Sequence, residues 1–284
     1  MLARRCNRTL GVDEIVLEAG RAERQYWRDL WQYRELLQVL AWRDVSVRYK
    51  QTLLGIAWAV LRPFLTMAVF TIVFGKLAGL PSVGSAPYAL LVFAGTLAWT
   101  FFSSALNDSS NSVLNSSNLI SKVYFPRMII PVSVVAVALV DLAFSLVVLL
   151  GLFVWYKYIP GWQLALLPAF VLLGFAVSLG PGLFLAALTV KYRDFRFITP
   201  FIAQLGLYIS PVGFSSEIVP SSWRIFYSLN PMVGVIDGFR WCVLGGSYQL
   251  YLPSLVLSIV GAVFFMWLGV RQFRRTERSF ADVI

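Results

Sequence analysis

The run from Met128 to Trp155, MIIPVSVVAVALVDLAFSLVVLLGLFVW, decides the fold class, because it is apolar throughout and contains a single ionisable residue, Asp141. A helix needs about 20 such residues to cross the hydrocarbon core of a bilayer. The whole chain has the same character: 58% of its 284 residues are hydrophobic and only 13% are charged, against about 25% in soluble domains. The mean hydropathy is +0.73. We therefore predict an all-α polytopic membrane protein and exclude a cytosolic enzyme.

Five further apolar segments flank this run, and the fifth of the six in chain order is the shortest. The six predicted transmembrane helices cover 53–74, 88–106, 128–155, 164–190, 198–212 and 252–270. They define one transmembrane domain over 53–270, between a cytoplasmic N-terminal segment (1–52) and a cytoplasmic tail (271–284). The segment 213–251 contains apolar stretches too short to cross, so we expect re-entrant or surface-lying helices there.

Basic residues are distributed unevenly between the two sides of these helices. With the N-terminus inside, 19 of the 24 Lys and Arg fall in inward segments, 4 in outward segments, and Arg62 lies within a span. The positive-inside rule then places both termini in the cytoplasm. No apolar run in 1–52 is long enough for a signal peptide, so we expect the N-terminus to remain uncleaved. Cys6 and Cys242 would lie on opposite sides of the membrane as free thiols.

The segment from Tyr26 to Lys50 has the periodicity of an amphipathic helix. Its polar residues recur three, four or eight positions apart, and its other face carries Trp and aliphatic side chains. A helix of this composition suits the headgroup plane, where anionic lipids would attract its arginines.

The residue types that are missing limit the chemistry. The chain has no His, and therefore no His-based catalytic triad or His metal ligand. It also has no G-x-x-x-x-G-K-[ST] loop, since the Gly75–Lys76 pair is followed by Leu77. We expect no cofactor or metal in this chain, and we expect ATP and Mg²⁺ to be bound by a partner subunit.

Two ionisable residues within spans, Arg62 and Asp141, should face protein or water. Either they line a polar conduit, or they are paired internally and hold helices together; a direct Arg62–Asp141 pair is left open. Aromatic residues crowd the first two spans, and they either form interfacial belts or line a passage in which sugar rings pack on them. The candidate passage residues are Trp58, Arg62, Phe64, Tyr88, Trp99 and Phe102.

The connection 107–127, NDSSNSVLNSSNLISKVYFPR, is polar and too long for a simple turn. A loop that only fixes topology needs just a few basic residues. We therefore predict that another protein docks on it.

Three runs together resemble the polysaccharide-export permeases of type-2 ATP-binding-cassette exporters. They are RDVSVRYKQTLLGIAWAVLRPFLTM (43–67), PYALLVFAGTLAWTFF (87–102) and LISKVYFPR (119–127), with YRDFR (192–196) and NPM (230–232) in addition. The resemblance implies a homodimer of permeases in the bacterial cytoplasmic (inner) membrane, with two copies of a cytoplasmic ATP-binding subunit. Its substrate would be a lipid-linked polysaccharide such as O-antigen; no nucleic-acid partner is implied.

The same resemblance assigns local roles to several segments. The N-terminal helix is similar to the cytoplasmic interface helix of the family, and 213–251 to its periplasmic gate region. The residues expected to contact the ATPase are Asn118, Leu119, Ile120, Lys122, Tyr124, Phe125, Lys191, Arg193 and Arg196. The basic residues among them are equally explained by topology alone.

Three alternatives for the function remain. The first is a type-2 exporter of a drug or small amphiphile. The second is a membrane-bound sugar transferase acting on polyprenyl phosphate, which would normally show clustered acidic residues at the cytoplasmic face. The third is a channel or membrane scaffold, which would have no ATPase partner.

Overall fold

The structure, a computed structural model, describes residues 22–50, 55–82, 84, 86–277 and 280. These residues form eleven α-helices. In chain order the helices are α1 Ala22–Gln32, α2 Arg34–Lys50, α3 Gly55–Phe70, α4 Tyr88–Asn115, α5 Ser117–Ile120, α6 Ile129–Trp155, α7 Leu167–Lys191, α8 Phe195–Ile209, α9 Ser221–Tyr227, α10 Pro231–Leu244 and α11 Leu252–Glu277. A π-helix, Thr71–Leu77, continues α3, and a 3-10 turn, Trp162–Leu166, precedes α7. The prediction of an all-helical protein is confirmed.

Helix α4 lies at the centre of the bundle and packs against α3, α6, α7, α8 and α10. The outer side of α7 packs against α11, and the two backbones approach very closely there. A Cβ atom on Gly269 would lie 2.1 Å from the carbonyl oxygen of Gly180, so neither position has room for a side chain. The small residues of the fourth predicted span therefore serve helix packing.

Within the described residues, five helical segments are long and apolar enough to cross a membrane. They are Val60–Leu77, Tyr88–Asn115, Ile129–Trp155, Trp162–Lys191 and Leu252–Glu277. The remaining predicted span, 198–212, corresponds to α8, which has 15 residues. At 1.5 Å per residue α8 is about 22 Å long, shorter than the hydrocarbon core of about 30 Å. The first two residues of the predicted first span, 53–54, lie outside the described residues.

Helix α4 extends beyond the second predicted span, which ended at residue 106. Helix α4 continues nine residues beyond 106, to Asn115, so the first part of the predicted polar loop is helical. Several of its Ser and Asn side chains bond to carbonyl groups of their own helix, as Asn107 does to Ser103 and Ser112 to Ser109. Polar side chains satisfied in this way can be buried, which a hydropathy criterion does not capture.

The predicted N-terminal amphipathic helix is divided at Tyr33 into α1 and α2. Two backbone hydrogen bonds, from Tyr33 to Asp29 (2.9 Å) and from Leu37 to Tyr33 (3.2 Å), still bridge the division. Helix α2 packs against α6, while the indole of Trp42 on α2 is exposed. The placement of α1 and α2 in the headgroup plane stays a prediction, and the first 21 residues, with Cys6, lie outside the described part.

Helix α10 is short, yet it is buried between α4, α7 and α11. Its Arg240 is fully buried and donates hydrogen bonds to the carbonyl groups of Leu91 (3.2 Å) and Val212 (2.9 Å). Asp237, on the preceding turn, accepts hydrogen bonds from Ser216 and Tyr248. These bonds hold the segment between α8 and α11 against the core. Backbone that is not part of a spanning helix is tolerated at membrane depth where protein encloses it.

Candidate functional site

A cavity of about 920 Å³ lies between α2, α3, α4, α6 and α8. Each helix contributes one face to it, and the faces differ in chemistry. Helices α3 and α4 bring indole rings, α4 brings most of the hydroxyl groups, and α2, α3, α4 and α6 bring charges. The volume is within the range of small-molecule sites. The cavity is the candidate functional site.

The aromatic part of the wall is formed by Trp58 on α3 and Trp99 on α4. The side chain of Trp58 is 50% exposed, whereas Trp99 is only 6% exposed. The ring of Trp99 packs on the backbone of Gly206 in α8, where a Cβ atom would lie 2.6 Å from the indole, and on the ring of Phe102 at 5.2 Å between centroids. Trp99 therefore holds α4 and α8 together, and Trp58 offers the larger free surface.

Hydroxyl and amide side chains form a second strip of the wall along α4. Thr96, Thr100, Ser103 and Asn107 line the cavity, spaced four, three and four residues apart, so they share one helix face. Each donates a hydrogen bond to a carbonyl of its own helix, at 2.8 to 3.2 Å. The hydroxyl oxygens of Thr100 and Ser103, which are partly exposed, retain acceptor capacity that a substrate with many hydroxyl groups can use, whereas Thr96 and the amide oxygen of Asn107 are buried.

A charged cluster closes one part of the cavity and links α2, α4 and α6. Arg48 donates to Asp141 and to Asp108, each at 2.6 Å, and Tyr49 donates to the other oxygen of Asp141. Burial, followed by the hydrogen bond to Asp141, raises the pKa of the Tyr49 phenol, so this group stays a protonated donor. Asp141 is thus paired internally, with Arg48 and not with Arg62.

The six candidate passage residues do not all reach this cavity. Trp58, Arg62 and Trp99 line it. Phe102 lies beside Trp99, and Phe64 is 40% exposed outside the lining. Tyr88, at the first turn of α4, donates a hydrogen bond to the carbonyl of Gly213 (2.6 Å).

Sequence reasoning missed the hydroxyl strip of α4 and the role of Arg48. The strip was detectable, because its spacing is that of one helix face. The pairing of Arg48 was not, because its partners lie 60 and 93 residues away in the sequence.

The first group of predicted ATPase contacts lies on α5 and the residues that follow it. Ile120 and Phe125 are buried and anchor the segment, while Asn118, Lys122 and Tyr124 are exposed, Tyr124 to 64%. Leu119 is partly exposed, so the exposed members of this group are Asn118, Lys122 and Tyr124.

The second group lies at the turn between α7 and α8. Lys191, Arg193 and Arg196 are all exposed, and the Lys191 ammonium group lies 5.2 Å from the ring centroid of Tyr192. All three predicted contact residues at this turn are therefore exposed cations, and none of the three is buried.

Both groups lie at the same end of the bundle. Gly174 of α7 contacts Phe101 of α4, and eight residues further along each helix Gly182 contacts Ser109, so α4 and α7 run parallel. Their last residues, Asn115 and Lys191, therefore mark one common end.

The C-terminal part of α11 reaches this end as well. The backbone N–H of Arg127 donates to a carboxylate oxygen of Glu277 at 2.7 Å, and Arg274 lies 4.9 Å from the ring centroid of Tyr26. Within the described residues, α1, the segment 118–127, the turn between α7 and α8 and the end of α11 thus lie at one end of the molecule.

The sequence matches a known family of transporters. The model of the ABC-2 type transporter family matches residues 35–244, and the chain is a member of that family. The predictions of a type-2 ATP-binding-cassette permease, and of a transport subunit instead of an enzyme, are confirmed.

Similar proteins are named as polysaccharide exporters. The chain is 29% identical over 259 residues to the O-antigen export system permease protein RfbA of Myxococcus xanthus, which covers 90% of this chain and 98% of that protein. It is 25% identical over 262 residues to the RfbA of Klebsiella pneumoniae, covering 88% and 95%. It is 23% identical over 255 residues to the polysialic acid transport protein KpsM of Escherichia coli, covering 86% and 94%.

Proposed function

We propose that the chain is the permease subunit of an ATP-driven exporter that moves a lipid-linked polysaccharide across the bacterial cytoplasmic membrane. The observation that carries this proposal is the cavity, because it combines the exposed indole of Trp58 with the hydroxyl strip of α4. The apolar C–H face of a sugar ring packs on an indole, and the sugar hydroxyls find hydrogen-bond partners along α4. The names of the similar proteins support the same substrate class.

The composition of the wall also suits a polymer that must keep moving. A transport path needs contacts that are favourable enough for entry and weak enough for release. Neutral hydroxyl groups and ring faces give repeated contacts of modest strength. The cavity is lined by two arginines and two aspartates, whose formal charges cancel, so it holds no large net charge that would trap the substrate.

The path is completed by a second copy of the chain, and the driving force comes from two copies of an ATP-binding subunit. ATP and Mg²⁺ bind to those subunits. The exposed residues Asn118, Lys122 and Tyr124 and the cationic turn at Lys191–Arg196 contact them at the common end of the bundle. Both termini lie on this cytoplasmic side, and α1 and α2 lie at the membrane interface.

The direction of the helices supports six crossings of the membrane. Lys191 lies at the proposed cytoplasmic end, while Gly213 lies beside Tyr88, at the opposite end of α4. The chain therefore passes from one end to the other through α8. Although α8 alone is short, its extension to Gly213 supports a role as the fifth of six crossings, with α9 and α10 on the outward side.

Transport into proteoliposomes tests the proposal. The purified complex with its ATPase is reconstituted, and lipid-linked glycans of increasing chain length are offered together with a small lipophilic drug. We expect ATP-dependent uptake of the glycans and no uptake of the drug. Uptake of the drug without the glycans would instead show an exporter of small amphiphiles.

A further inference from the structure

Arg62 is the only charged residue of α3, and its side chain is exposed and lines the cavity. Trp58 lies one turn before it and Thr66 one turn after it, both on the cavity wall. The hydroxyl of Thr66 donates to the Arg62 carbonyl (3.0 Å), so it is held within the helix. A guanidinium group is therefore presented to the cavity directly beside the more exposed indole.

The part of the chain that the structure describes supplies no anion for this guanidinium. Of the carboxylates on the cavity wall, Asp108 and Asp141 are both engaged by Arg48 at 2.6 Å. Among the residues that the structure describes, no ion pair is formed by Arg62. A cation in the middle of an apolar helix is costly at membrane depth unless it has a partner or reaches water.

Arg240 provides a comparison, because it is an arginine with a structural role in the same fold. It is fully buried, and two of its nitrogen atoms donate to backbone carbonyl groups, those of Leu91 and Val212. Arg62 is the reverse case, because its side chain is exposed and no carbonyl or carboxylate group of the described residues accepts a hydrogen bond from it. The difference indicates a partner that comes from outside the chain.

We propose that Arg62 binds an oxyanion of the transported molecule, with the adjacent sugar ring packed on Trp58. A guanidinium presents parallel N–H donors that match a phosphate or a carboxylate. Two sources of that oxyanion fit a lipid-linked glycan, the phosphate of its lipid carrier and the carboxylate of an acidic sugar. This inference rests on the proposed function and names the part of the substrate that the cavity recognises.

The experiment uses the complete complex with its ATPase in nanodiscs made of uncharged lipids, so that anionic lipids do not compete. ATP hydrolysis is measured against the concentration of two probes. The first is a polyprenyl diphosphate carrying a neutral oligosaccharide, and the second is a free oligosaccharide that ends in a uronic acid. The variants are Arg62→Gln, which removes the charge, Arg62→Lys, which keeps it, and the matched control Lys76→Gln on the same helical segment outside the cavity.

We expect Arg62→Gln to raise the half-saturating concentration of the recognised probe about tenfold or more, the scale of one charge-assisted hydrogen bond. Arg62→Lys should have a smaller effect, and Lys76→Gln none. If Arg62→Gln changes the half-saturating concentration of the diphosphate probe alone, Arg62 binds the phosphate of the lipid carrier. If it changes that of the uronic acid probe alone, Arg62 binds the carboxylate of an acidic sugar. Thermal unfolding of each variant confirms that the complex is intact, and Arg62→Lys serves if Arg62→Gln does not assemble.

Two negative results are distinguishable. If the probes stimulate the unaltered complex but Arg62→Gln and Arg62→Lys leave both half-saturating concentrations unchanged, the oxyanion site is overturned while the exporter stands. If neither probe stimulates the unaltered complex and neither is transported, the proposed function fails, and this inference fails with it.

Discussion

At the scale of single residues, the two tryptophans of the cavity differ in what a substitution would remove. Trp58 is half exposed, so Trp58→Ala should lower ATP-dependent glycan export at least fivefold with little change in the stability of the complex. Trp58→Phe should retain more export than Trp58→Leu, because only an aromatic ring offers a face to a sugar. Export and thermal unfolding are measured on the same three variants.

Trp99 provides the matched comparison. Its ring fills the space between α4 and α8, so Trp99→Ala should lower stability by about 3 to 5 kcal/mol, the scale of buried aromatic deletions in soluble cores. If export by the Trp58 variants merely follows their stability, as is expected for Trp99, the sugar contact at Trp58 is excluded.

A second prediction at this scale concerns Arg48. Arg48→Met leaves the carboxylates of Asp108 and Asp141 without their shared cation. We expect it to lower the free energy of unfolding by about 2 kcal/mol. This is less than for a fully buried pair, because the cluster is partly exposed. Changing both aspartates to asparagine in the same variant should restore most of that loss. Thermal unfolding of the solubilised complex measures both effects, and a failure of the double change to rescue would show that Arg48 acts through other contacts.

The six candidate passage residues show what the sequence alone can and cannot predict about the cavity wall. An aromatic residue or a lone charge within a span is visible in the sequence, and Trp58, Arg62 and Trp99 were selected for that reason. Tyr88, Phe64 and Phe102 were selected on the same grounds but do not line the cavity, because the rotation of each helix about its axis is set by tertiary packing. Neighbouring aromatic residues on one helix cannot be sorted without that rotation.

At the scale of elements, the segment from α5 to α6 contains two kinds of basic residue. Lys122 is exposed beside Tyr124, so the double variant Lys122→Glu/Tyr124→Ala should reduce ATP-dependent transport at least tenfold while stability changes by less than about 0.5 kcal/mol, as for surface substitutions. Transport, ATP hydrolysis and co-purification of the ATPase are measured together. Normal complex formation and normal transport would rule out this segment as a docking element.

Arg127 serves as the contrast on the same segment. Its backbone N–H and its side chain both bond to Glu277. We therefore expect Arg127→Glu to lower the free energy of unfolding by about 2 kcal/mol. An assembled and stable Arg127→Glu complex would show that this bond is not needed to hold α11 in place.

Element boundaries were predicted least well where polar residues are buried. Hydropathy ended the second span at 106, but α4 continues to Asn115 because its Ser and Asn side chains bond to their own helix. The apolar core of each long helix was predicted closely, since a run such as 128–155 has no alternative to a spanning helix. The division at Tyr33 has no signal in the periodicity of 26–50.

At the scale of the whole molecule, the basic segments gathered at one end of the bundle give the orientation a direct test. Cys242 is fully buried, so a thiol reagent cannot report its side of the membrane. Cys6 lies outside the described residues and is changed to serine. Two exposed serines replace them as reporters, Ser121→Cys at the proposed cytoplasmic end and Ser222→Cys in α9 at the other end.

The expected labelling follows from the positive-inside rule, because 19 of the 24 Lys and Arg fall in sequence segments that are predicted to face the cytoplasm. In cells whose outer envelope has been made permeable, a membrane-impermeant maleimide should label Ser222→Cys at once, and Ser121→Cys only after the cytoplasmic membrane is opened. The retained Cys242 should stay unlabelled in both conditions, which controls for unfolding. The reverse pattern would invert the molecule and place the proposed ATPase contacts outside the cell, where no ATP reaches them. Equal labelling of both cysteines in unopened cells would mean that α8 does not carry the chain across between Lys191 and Gly213, and the six-crossing topology would fail even though the five long helices remain.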